Sequence, residues 1–89
     1  MKFFVCSITI HDRNTAYKKV SNVLHKFAES IKLRVGYPLP EKNISIIFLV
    51  VELSNDQAGA FSGTLGQIPS VKVSINPIKM WGKNGYGKS

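Results

Sequence analysis

The apolar positions change their period several times along the chain, and each change marks an element. From Lys2 to Ile10 they alternate, placing Phe4, Cys6, Ile8 and Ile10 on one face of a strand and Phe3, Val5, Ser7 and Thr9 on the other. From Asp12 to Ile31 the period lengthens. Ala16, Val20, Val23, Leu24, Phe27 and Ile31 recur at helical spacing, while Lys18, Lys19, Asn22, His25, Lys26 and Glu29 lie off that stripe. Asp12 stands where a carboxylate can cap the free amides of the first turn. Leu33 to Tyr37 reads as a short second strand, and "PLPEKN" as a connection that continues neither helix nor central strand. Ile44 to Leu53 is the strongest strand, with Ile44, Ile46, Phe48, Val50 and Glu52 on one face and Ser45, Ile47, Leu49, Val51 and Leu53 on the other. "SND" at 54–56 supplies caps for a second helix to about Gln67, its inward stripe being Ala58, Phe61, Leu65 and Ile68. Val71, Val73 and Ile75 then alternate with Lys72 and Ser74 in a fourth strand.

The order β-α-β-β-α-β predicts an α+β, ferredoxin-like sandwich, a four-stranded antiparallel sheet with two helices on one face. Right-handed crossovers put the first and third strands at the centre. Both are apolar on two faces, and the helices cover only one. A monomer rarely leaves a contiguous apolar patch open, so a homo-oligomer, dimer or tetramer, formed through the sheet is expected. The alternative cover is a bound hydrophobic partner. Residues 1–79 are read as one domain and 80–89 as a basic, mobile tail containing Met80, Trp81 and Tyr86.

Composition adds less. Hydrophobic residues are 44% and charged residues 19% of the 89, a globular balance. The longest apolar run, Ile46 to Val51, is far too short to span a membrane, and the opening "MKFFVCSITI" lacks a signal-peptide cleavage pattern. With Cys6 as the single cysteine, no internal disulfide forms and a cytoplasmic setting is expected. The net charge of +7 permits an anionic partner, but the basic residues are spread along the chain. Nucleic-acid binding through charge alone is therefore possible and not favoured. The third strand lacks the glycine and basic residues of an RNA-reading strand.

Little in the chain looks catalytic. The carboxylates Asp12, Glu29, Glu41, Glu52 and Asp56 show no converging spacing, and Cys6, His11 and His25 do not form a metal set within one chain. No cofactor is expected. In "LRVGYPLP", Leu33, Val35 and Tyr37 share one strand face. Arg34 and Gly36 lie on the other, which is expected to serve assembly if it is the open face of the sheet. In the second helix, Gly59, Gly63 and Gly66 share a side turned away from the core, where close approach of another backbone or a ligand would account for them. Gly66 alone could instead be a C-cap. Arg34, Gly36, Tyr37, Gly59, Gly63 and Gly66 are thus the ligand or interface candidates. A small acylphosphatase-like enzyme would have to use Arg34 with Asn43 or Asn55.

"HDRNTAYKKVSNVLHKF" resembles the entry of an ACT-type regulatory domain, although Asn14 and Thr15 stand where amino-acid sensors carry Pro-Gly. "LHKF", "RVGYP", "IIFLV", "ND", "SGTLG" and "VKV", in this order, resemble the family of proposed regulators of the iron-only hydrogenase system. The resemblance implies an ACT-like fold, related to the C-terminal domain of nickel-responsive repressors, and an anaerobic bacterial setting. It further implies a non-enzymatic regulatory or sensor role, exercised on a small ligand or protein partner. The His and Cys cluster of the nickel repressors is not reproduced, so nickel sensing does not carry over.

Overall fold

The computed structural model describes residues 1–79; the proposed tail at 80–89 lies outside the described residues. Strand β1 (Lys2–His11) leads into helix α1 (Arg13–Lys26), then β2 (Ile31–Leu39), β3 (Ile44–Leu53), α2 (Asn55–Gly66) and β4 (Val71–Pro77). The sheet is antiparallel in the order β2-β3-β1-β4, the ferredoxin-like α+β arrangement with β1 and β3 at its centre.

The central pairing runs without a break from Lys2 opposite Leu53 to His11 opposite Ile44. Opposed residues share a face, so Phe4, Cys6 and Ile8 meet Val51, Leu49 and Ile47 on the helix side. All six are buried, and Ala16, Val20, Val23 and Leu24 of α1 close over them with Ala58, Phe61 and Leu65 of α2. The edge-to-face contact of Phe27 with Phe61, ring centroids 4.8 Å apart, joins the end of α1 to α2.

Local geometry departs from the sequence expectation in several places. Helix α1 ends at Lys26, and a 3₁₀ turn, Ala28–Ser30, carries the chain into β2. Ile31 is consequently a strand residue opposite Val51 and not the last member of the helical stripe. Its apolar side chain reaches the same core, which is why helical spacing counted it. Asp12 does not cap α1 with its carboxylate. It sits in the left-handed region at φ 59°, and its Oδ2 accepts a hydrogen bond from Thr15 Oγ1 at 2.9 Å. The cap of α2 is Ser54, whose hydroxyl accepts from the Gln57 amide while the Gln57 side chain accepts from the Ser54 amide, a reciprocal capping box. Gly66 is no left-handed cap: the helix closes through Gln67 in right-handed geometry, and the positive φ needed to turn into β4 falls on Ser70.

Strand β2 is longer than Leu33–Tyr37 and includes Pro38. An edge strand tolerates proline because its nitrogen can face away from the ladder. A register shift between Ile31 and Leu33 bends the start of the strand, with Lys32 reaching Glu52 at 3.7 Å.

Cys6 lies in the middle of this core with no exposed surface, and burial pushes its thiol from the ordinary 9.0 up to about 11. The unfolded chain releases that proton first as pH rises, so the thiol's contribution is intact below pH 9 and is lost between about 9 and 11. Urea unfolding across this range should therefore show wild type losing about 2–3 kcal/mol relative to Cys6→Val. Parallel curves for the two proteins would contradict the assignment.

Candidate functional site

Two features stand out on the surface, an open sheet face and a groove beside it. The open face follows from the pairing. Val5, Ser7 and Thr9 of β1 lie opposite Val50, Phe48 and Ile46 of β3, and these in turn lie opposite Leu33, Val35 and Tyr37 of β2. Exposure rises toward the edge, from 44% at Phe48 to 55% at Leu33 and 57% at Tyr37. On the far side, Lys72, Ser74 and Asn76 of β4 oppose Thr9, Ser7 and Val5, so the face passes from polar at β4 to apolar at β2.

Arg34 and Gly36 lie on the opposite side from the one expected for assembly. They pair with Leu49 and Ile47, whose side chains point into the core, and so belong to the helix side of the sheet. The helices do not reach over them, and β2 is exposed from Lys32 to Pro38 on both faces. The space left between α1 and β2 forms a groove. One part, about 450 Å³, is lined by Ser21, His25 and Arg34 over a floor of Leu24, Ala28 and Ile31. The next part, about 220 Å³, is lined by Tyr17, Arg34, Gly36, Tyr37 and Ser45 among others. Arg34 belongs to both.

Among the described residues no carboxylate lines either part. Among the described residues the one ion pair is Lys32 with Glu52, leaving the Arg34 guanidinium without an acidic partner. Ser45, 5% exposed, is buried at the inner wall, and its hydroxyl has no hydrogen-bond partner among the described residues. The groove therefore presents donors and no negative charge, a chemistry suited to a small anionic group. Asn43 and Asn55 line neither part, so the set required for an acylphosphatase-like centre is not brought together there. Among the described residues no cluster of His, Cys, Asp and Glu could hold a metal ion.

The structure thus gathers Arg34, Gly36 and Tyr37 at one place and leaves the α2 glycines out of it. Gly59, Gly63 and Gly66 are exposed, and a Cβ built on any of them meets open space. Sequence reasoning missed Tyr17 and Ser21, and weighed His25 only as a metal ligand. Their four-residue spacing, one ridge along α1, was the available signal.

Comparison with known proteins fixes the family. The model of the TM1266-like family, described as "Iron-only hydrogenase system regulator, putative", matches residues 2–75. This chain belongs to that family. The structure of the uncharacterized protein TM1266 from Thermotoga maritima is 50% identical, with a TM-score of 0.85 over 88% of this chain and 98% of that one. The crystal structure of an unknown protein from Galdieria sulphuraria has a TM-score of 0.67 at 15% identity, covering 93% of this chain and 48% of that one, and shares the fold alone. No curated protein matches.

Because nothing crowds the α2 glycines, Gly63→Ala should raise stability by about 0.8–1 kcal/mol. Urea denaturation measures the gain, and sedimentation should show the same oligomeric state as wild type. A loss of assembly would instead mark the glycine side of α2 as a contact.

Proposed function

We propose that this member of the TM1266-like family is a non-enzymatic, cytoplasmic regulatory module of the iron-only hydrogenase system that works as a homo-oligomer. The family match over residues 2–75 carries the functional part of this reading. The apolar open face supports the assembly part. In a chain of net charge +7, two copies repel wherever their basic surfaces meet. On the part of the open face formed by β1, β3 and β2 that cost is low, since among the described residues its charged groups are Glu52 and the Lys32 paired with it. A second copy seated there removes Phe48, Val50 and their neighbours from water, at about 25 cal/mol per Å² of apolar surface. The donor-lined groove at Arg34 supplies a place where a small anionic ligand bears on the same sheet.

The test is made in cells that produce an iron-only hydrogenase with its maturation proteins. Co-production of this chain should change hydrogen evolution several-fold, and Phe48→Glu, on an exposed site that leaves the core intact, should cancel the change. Hydrogen evolution unaffected by the wild-type chain would refute the regulatory role. An equal effect from Phe48→Glu would refute the part assigned to the open face.

A further inference from the structure

The groove between α1 and β2 holds two features that the fold does not call for, a buried hydroxyl and a strand glycine. On the helix side of the edge pairing, Arg34, Gly36 and Pro38 of β2 lie opposite Leu49, Ile47 and Ser45 of β3. Ser45 is 5% exposed, and its hydroxyl meets no hydrogen-bond partner among the described residues. A buried hydroxyl in that state costs free energy until something enters to pair with it. Gly36 stands between Arg34 and Pro38 on the same face, and a Cβ built there meets nothing within 4 Å. Its φ lies outside the left-handed region, so no turn requires glycine. A glycine inside a strand weakens it, and without a turn or a close protein contact to explain it, the room it leaves suits a ligand.

We infer that this groove binds a small free monocarboxylic acid with a short apolar body. Arg34, common to both parts of the groove, takes the carboxylate, since a guanidinium matches its two oxygens bidentately. The smaller part, about 220 Å³, supplies the hydroxyls of Ser45 and Tyr17 as further donors to the head group. Gly36 keeps the space beside them open. The larger part, about 450 Å³, has Leu24, Ala28 and Ile31 as an apolar floor on which the body rests.

The balance of charge selects this class. Among the described residues Arg34 is the one Lys or Arg that lines either part, so a single negative charge is matched and a phosphate dianion is not. His25 is exposed and lines only the larger part, beside the body of the ligand. With no carboxylate among the described lining residues, the ammonium of a free amino acid finds no countercharge in the groove. The chemistry therefore favours an acid without an amino group over the amino acid of the same skeleton.

Carboxylate binding here rests on the groove being the module's ligand site, yet it is measured on the purified full chain without reference to hydrogen evolution, so either reading can fail alone. Amide NMR titrations with isocaproate, leucine and inorganic phosphate test it. Isocaproate should give saturable shifts at Arg34, Gly36 and Ser45. Leucine, which differs from it by the α-ammonium, and phosphate should each bind about tenfold more weakly or worse. Arg34→Gln should weaken isocaproate binding by about tenfold or more. Gly36→Val, whose side chain enters open space in a strand that favours it, should abolish binding while keeping the urea midpoint at or above that of wild type. No saturable shift at these residues overturns the site, as does undiminished binding in the Arg34→Gln chain or in a folded Gly36→Val chain. Leucine or phosphate binding as tightly as isocaproate overturns the assigned class of ligand.

Discussion

The antiparallel pairing of β1 with β3 is the constraint on which the rest of the molecule depends. It holds ten residue pairs in unbroken register, and it forces the two strands to divide their side chains between the same two faces. One set, from Phe4 to Ile10 and from Ile47 to Leu53, needs a roof, and α1 and α2 supply it. The other set includes Val5, Phe48, Ile46 and Val50, and receives no roof from the described residues. A slip of one residue would turn one of the two strands over and bury either Ser7 and Thr9 or Glu52 under the helices, which is why the register is tightly specified.

From that pairing the open face and the groove follow. β2 adds itself to β3 beyond the reach of α1, so its side chains extend the open face while its helix side borders a groove. Arg34 is the residue where these features meet. It is on the helix side of the edge strand, lines both parts of the groove, and lies beside the outer backbone of β2. The groove and the apolar edge of the open face therefore meet at the same few residues, Arg34 to Tyr37. That closeness would let occupancy of the groove bear on the open face.

The element order, the central strands and the core were legible because they rest on periodicity. Ile44–Leu53 reads as a strand from either face, and Phe61 and Leu65 sit where a helical stripe must point inward. What was not legible depended on tertiary choices. The spacing of Ile31 suits a helix as well as it suits a bulged strand start, and only pairing with Val51 decides between them. Asp12 is a good cap by type, yet a left-handed backbone turns its carboxylate to Thr15. The faces of "LRVGYPLP" divide as alternation requires, but which one is open depends on where α1 ends. Arg34 and Gly36 lie on the helix side, and with Tyr37 they line the groove. The glycines of α2 signalled a surface helix and nothing the fold itself requires.

The central claim is that the sheet is completed by another copy of the chain. Sedimentation equilibrium of the unmodified protein across the micromolar range tests it most directly. A mass of twice the 9.9 kDa chain or an even multiple of it, dissociating on dilution, is the predicted result. A mass that stays at 9.9 kDa throughout the range would contradict it.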